Sequence, residues 1–221
     1  MKRLLIILLV AVAGFAVWQF PSWNAARAQL EIAEQRVDQI IADGSTTLDL
    51  TDLVELRRLP SNIENATKLV YLRLRGTHVS DISGVENLRN LQDVDLNQTR
   101  VTELTPLEGH PSLRVLYLHE TWVEDLGVLA SLPALERLDI GKTQVASLEP
   151  VTRIANLNWL NLHGSYALDG STQFFETLAA RMPDLSGGNS YRQGYRPDWQ
   201  YQMTVRLRRL KERLGIASEP I

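Results

Sequence analysis

The stretch LVYLRLRGTHVSDISGVENLRN, residues 69–90, is the first of four consecutive segments that share one pattern. The next copies are LQDVDLNQTRVTELTPLEGHPS from residue 91, LRVLYLHETWVEDLGVLASLPA from residue 113 and LERLDIGKTQVASLEPVTRIAN from residue 135, so the period is 22 throughout. A fifth copy opens at Leu157 with LNWLNLHGS and then departs, and an incomplete earlier copy with two extra residues starts at Leu48. A fixed period of this length indicates a protein built from stacked repeats.

The shared pattern is L-x-x-L-x-L-x-x-T-x-V-x-x-L-x-x-L-x-x-L. One repeat of this size cannot bury its own apolar side, whereas stacked repeats bury a continuous core. Strands about 4.8 Å apart would bring each aliphatic residue into contact with its equivalent in the next repeat. The predicted core columns are Leu72, Val94, Leu116, Leu138 and Leu160; Leu74, Leu96, Leu118, Ile140 and Leu162; Val79, Val101, Val123 and Val145; and, on the back, Ile82, Leu104, Leu126 and Leu148.

These repeats resemble those of bacterial leucine-rich repeat proteins, of the short type seen in internalin-like proteins. The resemblance covers roughly residues 45–165 and is carried by the leucine pattern quoted above. It implies an α/β solenoid that is curved and has one short parallel strand per repeat on its concave side.

A hydroxyl-bearing residue recurs where the backbone leaves each predicted strand, at a position where the family usually carries Asn. The column contains Thr77, Thr99, Thr121, Thr143 and Ser165. A buried hydroxyl both donates and accepts hydrogen bonds, so the column is predicted to satisfy backbone groups of the turn and of neighbouring repeats. A nucleophilic role would require exposure and an adjacent base, so we favour the structural role.

Helical caps are predicted at both ends of the solenoid, because a repeat stack needs polar ends. Residues 29–44 form the N-terminal cap, which ends at Gly44 and whose apolar side is Leu30, Ala33, Val37, Ile40 and Ile41. Residues 166–221 form a C-terminal helical cap with a first helix from about Ser171 to Met182. A loop, SGGNSYRQGYRP, then leads to a basic amphipathic helix, residues 197–214. This second helix could contact an anionic membrane, although a solvated basic face on a cap is the simpler interpretation.

Residues 1–28 are predicted to be a signal peptide or a signal anchor. Lys2 and Arg3 precede an apolar run, within residues 4–20, that could contact or enter the membrane. Ala26-Arg27-Ala28 fits the small-x-small cleavage rule. Both alternatives place the rest of the chain outside the cytoplasm: membrane-anchored and facing the periplasm or exterior, or periplasmic or secreted after cleavage behind Ala28.

The composition excludes several classes of function. The 221 residues contain no cysteine, which excludes disulfides, thiolate metal sites and cysteine nucleophiles. The net charge of −3 shows no basic excess that would indicate nucleic acid binding. His119 and Glu120 resemble the start of an H-E-x-x-H zinc motif, but the second histidine is replaced by Val123. We therefore expect no metal and no cofactor.

The residues between the leucines of each strand should point outward on the concave face, because side chains alternate along a strand. The leucine columns hardly change between repeats, whereas these outward positions differ in every copy. Tyr, Trp and Arg are frequent among them and are common interface hot spots. The sequence therefore predicts a non-enzymatic module that binds a protein or peptide partner. Its candidate binding residues are Tyr71, Arg73, Arg75, Asp93, Asp95, Tyr117, His119, Arg137, Asp139, Trp159, Asn161 and His163.

Two alternatives remain open. The first is a hydrolase of envelope glycans or peptides that uses Asp95 and Asp139, predicted to lie two strands and so about 9–10 Å apart. An open sheet should leave the pKa of both carboxyl groups unraised, which argues against catalysis. His119 and His163 are also two strands apart, too far to share a metal without a third ligand between them. The second alternative is a structural envelope protein without a specific ligand.

Overall fold

The computed structural model describes residues 24–164 and 186–187. Within them, short strands form one parallel sheet whose order follows the chain, and the connections on the opposite side carry 3-10 helices. The strands are β1 (Thr47–Asp49), β2 (Tyr71–Arg73), β3 (Asp93–Asp95), β4 (Val115–Tyr117), β5 (Arg137–Asp139), β6 (Trp159–Asn161) and β7 (Ser186–Gly187). The 3-10 helices are Ser61–Asn65, Val85–Asn87, Thr105–Leu107, Gly127–Ser131 and Glu149–Arg153. The predicted solenoid with parallel strands is confirmed.

The register of the sheet repeats from β2 to β6. Leu72 pairs with Val94, and Val94 pairs with Leu116, which matches the period of the sequence. Between β1 and β2, Leu48 pairs with Leu72, so the spacing between paired residues is two residues longer than the period of 22. The two extra residues of the first repeat are therefore confirmed, but the expected start of that repeat at Leu48 is wrong. Leu48 is the central strand residue, since this alignment buries its side chain under Leu72.

The core is one continuous cluster that runs the length of the stack. Every member of the four predicted columns is buried, with Leu162 the most exposed at 8%. Each 3-10 helix adds at least one buried apolar side chain from the opposite side; these are Ile63, Val85, Leu107, Leu129 and Val151. The stacked leucines therefore fix both the curved sheet and its convex cover.

The threonine column is buried as predicted, but its hydrogen bonds differ from the expectation. The Thr121 hydroxyl donates to the carbonyl oxygen of Leu118 at 2.7 Å, and Thr77, Thr99 and Thr143 make the same bond to the residue three positions earlier. These bonds lie inside a single turn, so the expected links between neighbouring repeats are wrong. The turn at each strand exit leaves its own carbonyl within reach of the hydroxyl, which is closer than the next repeat. Ser165 lies outside the described residues.

A helix, α1, covers residues 24–43 and caps the first repeat, so the presence of a helical N-terminal cap is confirmed. The helix begins five residues before the predicted boundary at residue 29 and so extends into the predicted signal segment. Ala33 and Val37 are fully buried, as predicted. Ile41 was predicted to lie on the apolar side of the helix, but its side chain is 41% exposed and lies outside the core. Arg36 makes two hydrogen bonds, of 2.6 and 2.7 Å, with the carboxylate of Asp52, and these tie the helix to the turn after β1. The left-handed Gly44 ends the helix as predicted, with φ of 73°.

The chain beyond the repeats is described only at β7. Ser186 and Gly187 were expected in a loop, but they pair in parallel with Trp159 and Leu160 of β6. This pairing satisfies backbone groups that would otherwise be open at the edge of the sheet. The predicted signal segment up to residue 23 and the predicted helices 171–182 and 197–214 lie outside the described residues. Within residues 24–164, no helix combines the length and the apolar character needed to cross a bilayer.

Candidate interaction surface on the concave face

The candidate residues lie on the outward side of the parallel sheet. Because each strand has three residues with a buried centre, its first and third side chains share the outward face. The first positions form the register row Tyr71, Asp93, Val115, Arg137 and Trp159, and the third positions form the row Arg73, Asp95, Tyr117, Asp139 and Asn161. The structure thus brings together the candidates of these two rows on one surface, which we call the concave face.

The candidates differ in how much of the side chain a partner could reach. Tyr71 is 40% exposed, and Arg137 and Arg75 are also exposed. Tyr117 and Trp159 are half-buried, so each presents part of its ring to solvent. Asn161 is only 9% exposed and contributes less to an accessible surface than the sequence suggests.

Two arginines lie over aromatic rings at opposite ends of the concave face. The Arg137 guanidinium carbon is 4.9 Å from the centroid of the Trp159 ring, and that of Arg73 is 6.0 Å from the Tyr71 ring. A cation over an aromatic face is attracted by the ring quadrupole. These contacts restrict the aromatic side chains before any partner arrives, which lowers the entropy lost on binding.

The centre of the concave face is acidic and partly desolvated. Arg73 contacts Asp93 at 3.1 Å between Nη1 and Oδ1. Burial raises the pKa of Asp93, and Arg73 partly opposes this shift. Burial also raises the pKa of Asp95, while the backbone N–H of Asn97 opposes it. The expectation that an open sheet leaves the pKa of Asp95 unraised is therefore wrong, because this carboxylate is partly buried and loses contact with water.

The polar residues at the third strand position also hold the turns that follow. Oδ1 of Asp95 accepts a hydrogen bond of 3.0 Å from the backbone N–H of Asn97. Oδ1 of Asp139 accepts one of 2.9 Å from the N–H of Gly141, and also one of 3.0 Å from Nδ2 of Asn161. Both carboxylates proposed for catalysis thus have a structural task at the strand exit.

The third candidate row lies beyond the strands and is centred on His119. Nδ1 of His119 is 3.8 Å from Oδ1 of Asp139, and Nε2 is 3.7 Å from Oε1 of Glu120. Gly141 leaves room for this ring, because a Cβ there would lie 2.5 Å from Nδ1 of His119. Burial lowers the pKa of His163, and the charge of Lys142 lowers it further. No group of three potential ligands within residues 24–164 could hold a metal ion.

The solved structure of internalin C2 from Listeria monocytogenes is similar to this chain, with a TM-score of 0.53 and 24% identity over 70% of this chain and 80% of that one. The chain has the leucine-rich repeat fold. The internalin InlF of the same organism is less similar, with a TM-score of 0.45 and 18% identity over 69% of this chain and 66% of that one. A functional domain of InlJ, described as including a cysteine ladder, has a TM-score of 0.42 and 17% identity over 53% of this chain and 27% of that one. No protein-family model and no curated protein matches the chain.

Two side chains that the sequence analysis passed over stand out within the leucine-rich repeats. Trp122 is 59% exposed, whereas the equivalent positions carry His78, Arg100 and Gln144. His110 is 1% exposed in a column of apolar residues. Comparing each column between repeats would have found both, because each is the member whose polarity differs from that of its column.

Proposed function

We propose that this leucine-rich repeat chain is an exported, non-enzymatic module that binds a protein or peptide partner on its concave face. The observation that carries the proposal is that Tyr71, Tyr117 and Trp159 share the outward side of one sheet, at every second strand. Aromatic residues and arginines contribute most of the binding energy at many interfaces. The residues under them are fixed by stacking, so the variable outward positions are available for recognition.

The charges of the concave face favour a protein partner over a polyanion. Charges of both signs are interspersed on this surface; they are Arg73, Arg75, Arg137, Asp93, Asp95 and Asp139. A partner with a complementary arrangement would be oriented by this pattern, because charge complementarity at an interface fixes register and excludes wrong partners. A nucleic acid would instead need a continuous basic surface.

The hydrolase alternative has one supporting observation, the raised pKa of Asp95, which is a feature of general acids. Against it, Asp95 and Asp139 both hold backbone turns. Oδ1 of Asp139 also accepts a hydrogen bond from Nδ2 of Asn161, so the same oxygen already serves two partners. We therefore propose a binding role for these carboxylates.

Export is proposed from the basic and apolar pattern of residues 1–28. Intact-mass measurement of the exported chain, together with membrane fractionation, distinguishes the two routes. A soluble chain whose mass corresponds to a first residue at Gln29 indicates cleavage after Ala28. A membrane-bound chain with the full-length mass indicates an anchor. Full-length chain in the cytoplasm would contradict the export proposal. Contact of residues 197–214 with anionic lipid is tested separately by salt-dependent liposome binding.

The binding proposal is tested with three forms of the immobilised chain. The first is the wild type, the second is the triple variant Tyr71→Ala, Tyr117→Ala and Trp159→Ala, and the third is a control with Glu86→Ala, Arg89→Ala and Glu103→Ala. The control changes exposed residues of the convex side. Proteins captured from envelope extracts are identified, purified and titrated against all three forms.

We expect one or more captured proteins to bind the wild type and the control with equal affinity. Loss of three aromatic anchors should weaken binding by at least about 100-fold, since each contributes at least about 1 kcal/mol. Equal capture by all three forms would rule out the concave face as the binding surface. Capture of nothing by the wild type would favour a structural envelope protein.

A further inference from the structure

The third residue after each strand adopts a left-handed backbone conformation in every repeat from β2 to β6. Gly76 and Gly164 occupy this position in the outer repeats, with φ of 77° and 65°. The middle repeats instead carry Gln98, Glu120 and Lys142, with φ of 58°, 58° and 53°. A residue with a Cβ is sterically disfavoured in this conformation, whereas glycine is not. Glycine at this position is compatible with the fold, so the presence of three long polar side chains there has to be explained by something other than backbone conformation.

These three side chains are fixed against one another. Nε2 of Gln98 donates a hydrogen bond of 2.8 Å to Oε2 of Glu120, and Nζ of Lys142 donates one to Oε1 of the same carboxylate. Hydrogen bonding to Lys142 and Gln98 lowers the pKa of Glu120, so this carboxylate stays ionised. The carboxylate and the ammonium balance each other, so the row has no net charge.

Trp122 stands beside this row and is the most exposed large apolar side chain among residues 24–164, at 59%. Its indole makes no side-chain hydrogen bond within that part of the chain. A shallow depression of about 390 Å³ lies next to the ring, and we call it the flank pocket. Its lining residues are Glu120, Thr121, Trp122, Lys142, Gln144 and Gly164.

The flank pocket combines one apolar aromatic surface with hydrogen-bonded polar groups whose charges cancel. The depression is open to solvent, so a ligand would lie against the indole rather than be enclosed. Residues held in disfavoured backbone conformations are concentrated at functional sites, where the surrounding structure maintains them. The absence of net charge gives no preference for an ionic ligand. A ligand that fits must therefore present an apolar face to the indole and hydroxyl groups to the carboxylate, ammonium and amide.

We propose that the flank pocket binds a neutral saccharide. One face of a hexopyranose ring consists mainly of C–H groups and can pack against the exposed indole of Trp122, which removes apolar surface from water. The hydroxyl groups around the ring edge both donate and accept, so they match Glu120, Lys142 and Gln144. The site lies beside the concave face, since Glu120 also contacts His119 at 3.7 Å, but it shares no anchor with the proposed protein-binding surface.

The test titrates the full chain with chitotetraose and cellotetraose, two neutral oligosaccharides, by calorimetry. The variants are Trp122→Ala, Gln144→Ala and, as a matched control, Val54→Ala. Val54 is an apolar residue that is 48% exposed and does not line the flank pocket. Thermal unfolding of each variant confirms that an exposed substitution has left the fold intact.

We expect saturable binding of at least one sugar by the wild type and by Val54→Ala. Trp122→Ala should weaken it by at least about tenfold and Gln144→Ala by about threefold, because the first removes the stacking surface and the second one polar contact. The concave triple variant should bind the sugar like the wild type, which separates this proposal from the proposed protein binding. The inference is overturned if neither sugar saturates the wild type, if Trp122→Ala binds equally well, or if only the concave variant loses binding.

Discussion

His110 donates a hydrogen bond from Nε2 to the carbonyl oxygen of Leu88, at a distance of 2.8 Å and one repeat earlier in the stack. Since a carbonyl can only accept, Nε2 carries the proton, and the buried Nδ1 has no partner in the described part of the chain. The other members of this column are Leu88, Leu132 and Ile154. Protonation of Nδ1 would place an unpaired charge in an apolar column.

The first prediction is that this imidazole makes the fold less stable in mild acid. Burial lowers the pKa of His110 below its usual 6.5, so the unfolded chain takes up a proton more readily than the folded chain. The free energy of unfolding should therefore fall as the pH drops from about 7.5 to about 5.5. Urea unfolding at both values should show a smaller fall for His110→Leu than for the wild type. Equal falls would show that His110 does not titrate on unfolding in this range.

The second prediction concerns the buried hydroxyls. Thr121→Val removes the hydroxyl that donates to the carbonyl oxygen of Leu118. That carbonyl then keeps one hydrogen bond, from the backbone N–H of residue 121. We expect a loss of about 1 kcal/mol in the free energy of unfolding, because the carbonyl is buried away from water. Thr152→Val is the matched control, since the Thr152 hydroxyl donates the same kind of hydrogen bond to the carbonyl oxygen of Glu149, but on the exposed side of the 3-10 helix Glu149–Arg153. A control variant that loses as much as Thr121→Val would argue against burial as the cause.

A third prediction follows from the close approach of His119 to Gly141. In Gly141→Ala, the new Cβ would lie 2.5 Å from Nδ1 of His119 and 3.0 Å from the carbonyl oxygen of His163. The imidazole must move, so we expect lower stability, by about 1–3 kcal/mol, and weaker partner binding. Adding His119→Ala should restore part of the stability but not the binding. Full additivity of the two substitutions would show that the ring and the new methyl group do not collide.

The fourth prediction separates the electrostatic role of Asp95 from its structural role. The raised pKa of Asp95 means that this group favours folding at low pH and that the contribution is lost as pH rises through the folded-state value. Asp95→Asn keeps an oxygen for the N–H of Asn97 and removes the charge, so unfolding at neutral pH should cost more free energy. Asp139→Asn should give no comparable gain. If the wild type hydrolyses an envelope glycan or peptide and either variant does not, the hydrolase alternative would be supported instead.

The last prediction compares two substitutions at one left-handed position. Glu120→Gly and Glu120→Ala both remove the hydrogen bonds with Gln98 and Lys142, but only glycine relieves the conformation with φ of 58°. The glycine variant should be the more stable of the two by about 1 kcal/mol. It should still lose sugar binding at the flank pocket, because its polar contact is gone. A less stable glycine variant would show that the backbone at Glu120 is not strained, and this would remove one of the supports for a ligand site at the flank pocket.

The repeat columns could be predicted from the sequence because their cause is periodic. Leu72, Leu116 and Leu160 each face an equivalent residue one repeat away, so one rule of stacking explains them all. The outward rows follow from the same rule, since the two faces of a strand alternate. These regularities are sufficient to predict the sheet and the outward position of the candidate residues from the sequence.

The remaining features depend on contacts that do not repeat. The start of the first repeat was misplaced because its two extra residues shift Leu48 into the column of Leu72. The raised pKa of Asp95 arises from partial burial of its carboxyl group, which depends on how neighbouring side chains pack and is not expressed by the repeat pattern. The left-handed turns were also missed, since Gln98, Glu120 and Lys142 do not carry the glycine that usually marks such a conformation.

The constant register of β2 to β6 has a consequence for how such a chain can change in length. Removing one whole unit, such as residues 91–112, would bring Leu72 beside Leu116, and this new junction would be as apolar as those it replaces. A deletion that is not a whole number of repeats would place polar side chains in the buried leucine columns and disrupt the core. Duplication or loss of complete units would therefore lengthen or shorten the concave face while leaving the packing of the core unchanged.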